Sequence, residues 1–155
     1  GRPVNSTDKG WIGKLLKDRW GSEKMVTRGK VLNAAELPGS VAILDSKRVG
    51  LITYSIKDRE CEVVTLDSLV EKRGVGTKLI GALKESIKGK CDRIWLIATN
   101  DNLEALSFYQ KRGFVLKTLY PNALKKSREL KREIPKIGKD GIPLRDEIEL
   151  EFKPQ

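Results

Sequence analysis

With 155 residues, 39% hydrophobic and 34% charged, the chain has the size and composition of one globular domain spanning residues 1–155, and it contains no apolar run approaching the ~18 residues of a membrane span. It has no histidine, which excludes His general bases, Ser-His and Cys-His nucleophile pairs and His-ligated metals, and no metal site is expected. The net charge of +10 fits a Lys-rich solvated surface, an anionic small molecule or nucleic acid.

The N-terminus, Gly1-Arg2-Pro3, shows no secretory pattern. Ser6-Thr7-Asp8, followed by Trp11, Ile12, Leu15 and Leu16, reads as a capped amphipathic helix that ends near Trp20-Gly21. A strand is expected over Met25 to Leu32. Ser40 to Leu44 and Val49 to Ile56, joined by the polar Asp45-Ser46-Lys47, read as a hairpin. Lys57-Asp58-Arg59 turns into a further strand from Cys61 to Leu66.

Beyond it, Val75, Leu79, Leu83 and Ile87 recur at four-residue spacing with Ile80 beside them, which makes one buried helical stripe closed by Gly89. Arg93 to Thr99 reads as a central strand, Asn102 to Arg112 as a helix closed by Gly113, Phe114 to Leu116 as the start of a strand, and Asn122 to Lys131 as a short exposed helix. Pro135 to Pro143 is a loop. In Glu147 to Phe152, Ile148, Leu150 and Phe152 alternate with Glu147, Glu149 and Glu151, which reads as an edge strand with a solvated acidic face. The fold class is therefore mixed α/β with an antiparallel first half. Cys61 and Cys91 lie in apolar surroundings and read as buried free thiols, consistent with a cytoplasmic protein.

Two segments carry chemistry. In Glu71-Lys72-Arg73-Gly74-Val75-Gly76-Thr77 a glycine turn opens a helix. The first N–H groups of that helix lack intrahelical acceptors, its dipole favours an anion, and Lys72, Arg73 and Lys78 add positive potential. An ordinary tight turn would look the same. The Gly-Lys-Ser/Thr ending of a nucleotide P-loop is absent, and a dinucleotide fingerprint fits poorly. The second segment is Asn102-Leu103-Glu104-Ala105-Leu106-Ser107-Phe108-Tyr109, followed by Gln110-Lys111-Arg112-Gly113-Phe114. Seven residues separate Asn102 and Tyr109, so they share a helix face about two turns apart, with the small Ala105 between them.

In this order and spacing the two segments resemble the acetyl-CoA site of the GNAT superfamily of N-acetyltransferases. Gly74 and Gly76 match its Gln/Arg-x-x-Gly-x-Gly/Ala turn; Asn102, Ala105, Tyr109, Gly113 and Phe114 match its Asn-x-x-Ala-x-x-hydrophobic-Tyr helix and Gly-Phe ending. Glu71 departs from the usual Gln or Arg.

The resemblance implies a mixed central sheet of six to seven strands flanked by helices, splayed between its fourth and fifth strands, and transfer of an acetyl group from acetyl-CoA to a primary amine within a ternary complex. It assigns cofactor binding to Leu66, Asp67, Ser68, Lys72, Arg73, Gly74, Val75, Gly76, Thr77, Asn102 and Tyr109. Tyr109 would protonate the leaving thiolate. Glu62, with Glu60 as runner-up, would deprotonate the amine, and strand alternation puts both on the face of Val64 and Leu66. Trp20 and Tyr54 are the acceptor-binding candidates. The acceptor is a small-molecule or protein amine; membrane association is not expected, nucleic acid is disfavoured as a partner, and a homodimer is compatible with the chain. Two other readings are a basic nucleic-acid- or ribosome-binding module and a catalytically silent CoA-binding GNAT fold.

Overall fold

The structure is a computed structural model that describes residues 1–28 and 30–154, with the backbone alone at Thr27. In chain order its elements are β1 (Arg2–Pro3), α1 (Lys9–Trp20), β2 (Lys24–Thr27), β3 (Lys30–Asn33), β4 (Gly39–Leu44), β5 (Lys47–Lys57), β6 (Glu60–Ser68), α2 (Val75–Ser86), β7 (Arg93–Thr99), α3 (Leu103–Lys111), β8 (Val115–Tyr120), α4 (Ala123–Leu130) and β9 (Glu147–Phe152). Seven of the strands make up the sheet, and β2 and β3 pair with each other. The segment expected as one strand from Met25 is thus a hairpin. The chain forms two compact units. One holds Gly1–Glu23, Asn33–Ile94 and the chain end from Lys153, the other Lys24–Leu32 and Trp95–Phe152.

In the first unit the strand order is β1-β4-β5-β6, antiparallel throughout, and the start of β7 follows β6. The Asp92 N–H donates to the Arg59 carbonyl (2.7 Å) and Arg93 reaches Glu60 at 2.9 Å, so β6 and β7 begin side by side and run parallel. The helix opened by the glycine turn, α2, thus connects two neighbouring parallel strands. Val75, Leu79, Ile80 and Leu83 are buried on one face of α2. The helix can lie that close because β5 carries Gly50. A Cβ there would come within 2.5 Å of Val75 Cγ1 and 3.2 Å of Leu79 Cδ1.

Ahead of α1, Asp8 is fully buried and takes both guanidinium nitrogens of Arg2 at 2.7 Å, Arg48 Nε at 2.9 Å and the Asn5 N–H at 2.9 Å. Asn5 thus caps a 3-10 turn over Ser6–Asp8 that leads into α1, whose own N-cap, Asp8, makes no side-chain capping bond. At its far end α1 stops at Gly21, which adopts φ 78° and returns its N–H to the Lys17 carbonyl.

A bulge in β6 decides which side chains share a face. Thr53 of β5 opposes Thr65, but the next residue, Tyr54, opposes Val63, so Val64 is the extra residue. Beyond it the alternation inverts. Thr65 and Asp67 then share a face with Glu62 and Glu60, opposite Ser55 and Lys57. Leu66 lies on the other face, with Ile52 and Gly50–Ser68, under α2. Strict alternation had put Glu62 beside Leu66; the inserted residue moves it to the opposite side.

In the second unit the order is β7-β9-β8. The expectation of an edge strand with a solvated acidic face is corrected here. β9 has a neighbour on each side, and Glu147, Glu149 and Glu151 are all buried. Arg28, on the β2–β3 hairpin, approaches Glu147 at 3.5 Å and stacks over the Tyr120 ring at 3.4 Å, and the Tyr120 hydroxyl donates to Glu149 at 2.9 Å. Alternation reports that two faces differ in chemistry; it does not report which of them another element covers. β8 is the outer strand of this unit and exposes Val115, Leu116 and Leu119.

Candidate active site

In the first unit the site grows from the end of β6. The Leu69 N–H donates to the Val49 carbonyl (2.8 Å), which makes these two a hydrogen-bonded pair of the antiparallel ladder. Such pairs alternate. Asp67–Leu51 and Thr65–Thr53 are therefore hydrogen-bonded pairs, and the Thr53 and Thr65 hydroxyls also meet at 2.7 Å. Leu66 and Ser68 occupy the intervening positions, so their N–H and C=O groups point away from β5. Of the three residues expected to offer backbone groups here, Leu66 and Ser68 turn them outward and Asp67 spends them on β5.

The Asp67 carboxylate is buried on the other face, where Trp20 Nε1 donates to it at 3.1 Å. Burial pushes its pKa up, and the Trp20 hydrogen bond and the charge of Arg19 act the other way. Arg19 also donates to the Ser68 carbonyl at 3.4 Å. The end of α1 is thereby docked onto the end of β6.

The chain then turns. The Ser68 hydroxyl donates to the Val70 carbonyl (2.6 Å), Lys72 adopts φ 58° and Gly74 φ 67°. At Gly74 the left-handed backbone, rather than crowding, demands glycine, because a Cβ would meet nothing within 4 Å. Glu71, Lys72, Arg73 and Gly74 are exposed. Gly74, the N-cap of α2, has no side chain to cap it, and the Lys78 N–H closes the first turn on the Gly74 carbonyl, at 3.0 Å. The N–H groups of Val75, Gly76 and Thr77 precede that bond, at the positive end of the helix dipole.

Tyr54 lies on the α2 face and Trp20 on the opposite one, so these two acceptor candidates do not share a pocket. Tyr54 instead joins Arg73 and Val75 along a groove of about 490 Å³. Its hydroxyl pKa is raised by burial. Glu62 is half-buried, and Glu60 is held by Arg93. Cys61 and Cys91 are both buried and free, and burial pushes the Cys61 thiol up to about 12, which makes it a packing group rather than a nucleophile.

In the second unit Asn102 caps α3. Its side-chain oxygen accepts the Ala105 N–H at 3.1 Å, and its own N–H donates to the Thr99 carbonyl. Tyr109 is buried, with ring centroids 5.2 Å from Phe108 and 5.3 Å from Phe114, both edge-on. The Gly-Phe ending thus has a packing role: the Phe114 N–H returns to the Tyr109 carbonyl while its ring supports the tyrosine. Lys139 was not expected near the site. It lies 3.5 Å from the Asn102 side-chain oxygen, placed there because the buried Asp101 accepts its backbone N–H at 2.9 Å. A separation of 37 residues left no local signal for that meeting.

Comparison with known proteins places this architecture. The acetyltransferase (GNAT) family model matches residues 13–114. The uncharacterized protein YdhI of Bacillus subtilis (strain 168) is 40% identical over 148 residues, covering 94% of this chain and 92% of YdhI. A GNAT family acetyltransferase from Elizabethkingia anophelis with acetyl-CoA bound has a TM-score of 0.66 at 20% identity, over 76% of each chain. A Bacillus subtilis acetyltransferase in complex with CoA has a TM-score of 0.66 at 17% identity, over 98% of this chain and 97% of that one. At those identities the solved structures establish the fold alone, a mixed sheet of seven strands with four helices. The family match covers well over half of the sequence and includes both the glycine turn and the Asn102–Tyr109 helix, and on that ground the chain belongs to the acetyltransferase (GNAT) family.

Proposed function

We propose that this protein is an acetyl-CoA-dependent N-acetyltransferase that acts on a primary amine by direct attack in a ternary complex. The observation that carries the reading is the outward-facing backbone of Leu66 and Ser68 at the end of β6, followed directly by the uncapped glycine turn into α2. An amide-bearing arm can pair along that edge as an added strand, within the splay expected beside it, while a pyrophosphate meets the first N–H groups of α2. Lys72 and Arg73 supply the countercharge that Glu71 subtracts. Neighbouring structures hold acetyl-CoA or CoA on the same fold.

Bound acetyl-CoA supplies an activated thioester. The protein has three tasks. The Leu66 N–H, which faces away from β5, would polarise the carbonyl oxygen where negative charge develops. Glu62, directly or through a water, takes the proton that a cationic amine must lose before its nitrogen can bond to the carbonyl carbon. Tyr109 returns a proton to the sulfur as the carbon–sulfur bond breaks. The bulge sets Glu62 on the face where Trp20 covers Asp67, so the amine approaches from the α1 side, and Trp20 is a better acceptor candidate than Tyr54. A cytoplasmic setting accords with the two free thiols.

The test is thermal unfolding with acetyl-CoA, using sodium phosphate as an anion control. At about 100 times its Kd the ligand should add about 2.7 kcal/mol. A shift specific to acetyl-CoA, followed by thiol release with an amine panel, is the expected result. No shift beyond phosphate overturns the reading; binding without transfer to any amine reduces the protein to a CoA-binding member of the family.

A further inference from the structure

The face of β6 that carries Thr65 and Asp67 holds one polar atom that the fold leaves open. The hydroxyls of Thr53 and Thr65, both buried, close on each other at 2.7 Å. Asp67, the next residue on that face, is 7% exposed, and its Oδ2 accepts Trp20 Nε1 at 3.1 Å. Its Oδ1 has no hydrogen-bond or ion-pair partner among the described residues, yet it is not sealed from solvent. Arg19 stands near enough to favour the charged carboxylate but donates to the Ser68 carbonyl instead. Trp20 itself is 42% exposed. A free carboxylate oxygen and an accessible indole thus lie side by side.

Burial works against the ionised form of this carboxyl, and a buried charged group ordinarily has its hydrogen bonds filled. One partner is missing here, and its chemistry is defined by what remains. An alcohol would satisfy the oxygen but not the charge, and an anion would be repelled. A primary ammonium supplies both donor and charge, and its carbon chain can run over the apolar body of the indole. We infer that Asp67 Oδ1 and Trp20 form the binding site of the acceptor, a primary alkylammonium held by its charge at Asp67 with its chain against the indole. Asp67 directly follows Leu66, so the ammonium is held beside the N–H proposed to polarise the thioester, on the face that Asp67 shares with Glu62. The acceptor role rests on the proposed acetyl transfer; the cation site itself does not.

The test follows the Trp20 indole N–H by proton–nitrogen NMR on the full chain at neutral pH, its resonance identified by its loss in Trp20→Phe. The probes are n-butylamine hydrochloride, cationic at that pH, and butan-1-ol, the same chain without the charge. The ammonium is expected to shift the resonance saturably, with butanol weaker by about tenfold or more, as loss of a hydrogen bond between charged groups implies. Asp67→Asn keeps an acceptor for Trp20 and should weaken n-butylammonium by about the same factor. In turnover with acetyl-CoA it should raise KM for alkylamines by about tenfold on the same basis while lowering kcat far less. Loss of helix docking alone would not give that split, and a melting curve shows that the variant folds. No saturable shift with n-butylammonium, butanol binding as tightly, or wild-type n-butylammonium affinity in folded Asp67→Asn would each overturn the inference. Saturable n-butylammonium binding in a protein that shows no acetyl-CoA-specific thermal shift would overturn acetyl transfer, and with it the acceptor role, while the cation site stands.

Discussion

Trp20 Nε1 donates to the Asp67 carboxylate at 3.1 Å, and this bond fastens the last turn of α1 to the end of β6, on the face that Leu66 avoids. It joins a helix terminus to the strand that offers the outward backbone edge. The geometry of the candidate site thus rests on a contact between residues 47 apart in sequence.

Trp20→Phe removes the donor and leaves a buried carboxylate unsatisfied on that side. Hydrogen bonds to charged groups contribute about 2 kcal/mol, and a loss of that order is expected in urea unfolding at neutral pH. An unchanged midpoint would show that the contact is ornamental.

Asp67 also has a pH signature. Burial raises its folded-state pKa, so the folded protein binds this proton more tightly than the unfolded chain does. The stability it contributes is present below the unfolded carboxylate range and is lost as pH rises through the folded pKa. Asp67→Asn keeps an acceptor for Trp20 and removes the charge. Relative to wild type, its stability should improve from pH 3 to pH 7; parallel stability curves for the two proteins would refute this.

Asp8 has the opposite sign. Arg2, foremost, then the Asn5 N–H and Arg48 hold its pKa well below the usual carboxylate range. Its contribution is present above the unfolded value and disappears as pH falls through the folded one. Asp8→Ala leaves Arg2 and Arg48 without their shared partner and frees the Asn5 N–H that closes the capping box of the 3-10 turn ahead of α1. Both guanidiniums are about a third exposed, so the loss should fall below the ~3–5 kcal/mol of breaking a fully buried pair, and the variant should lose less stability than wild type on acidification.

Gly50→Ala tests the seating of α2. The new methyl would stand 2.5 Å from Val75 Cγ1 and 3.2 Å from the Asp67 carbonyl oxygen, so the helix start must shift. Overpacking of this kind costs about 1–3 kcal/mol. A weaker acetyl-CoA affinity is expected beside the lower melting temperature; a variant that melts lower with wild-type affinity would detach the helix position from the phosphate cradle.

Tyr109→Phe and Glu62→Gln divide the proposed chemistry. Loss of a general acid or base lowers kcat by about 10²–10⁴-fold, and acetyl-CoA affinity should stay near wild type in both. Glu62→Gln should in addition lose the acidic limb of the pH–rate profile. If Tyr109→Phe retains full turnover, its role reduces to the aromatic packing seen with Phe108 and Phe114.

Local chemistry determined a great deal of this protein from the sequence alone. The stripe Val75, Leu79, Leu83, Ile87, the glycine turn before it and the helix that follows Asn102 depend on residues within one or two turns of each other, so they could be read from spacing. Their order was enough to suggest the family. What only the tertiary structure decided depends on insertion and cover. One extra residue at Val64 reverses the face on which Glu62 sits, a shift that period-two reading cannot detect without the partner strand. The acidic face of β9 looked solvated because alternation carries no record of neighbours, yet Arg28 and Tyr120 lie against it. Lys139 reached Asn102, and Trp20 reached Asp67, across several intervening strands and helices. Periodic patterns are local and survive in the sequence. The meeting of distant side chains is set by the packing of whole elements, which no single segment encodes.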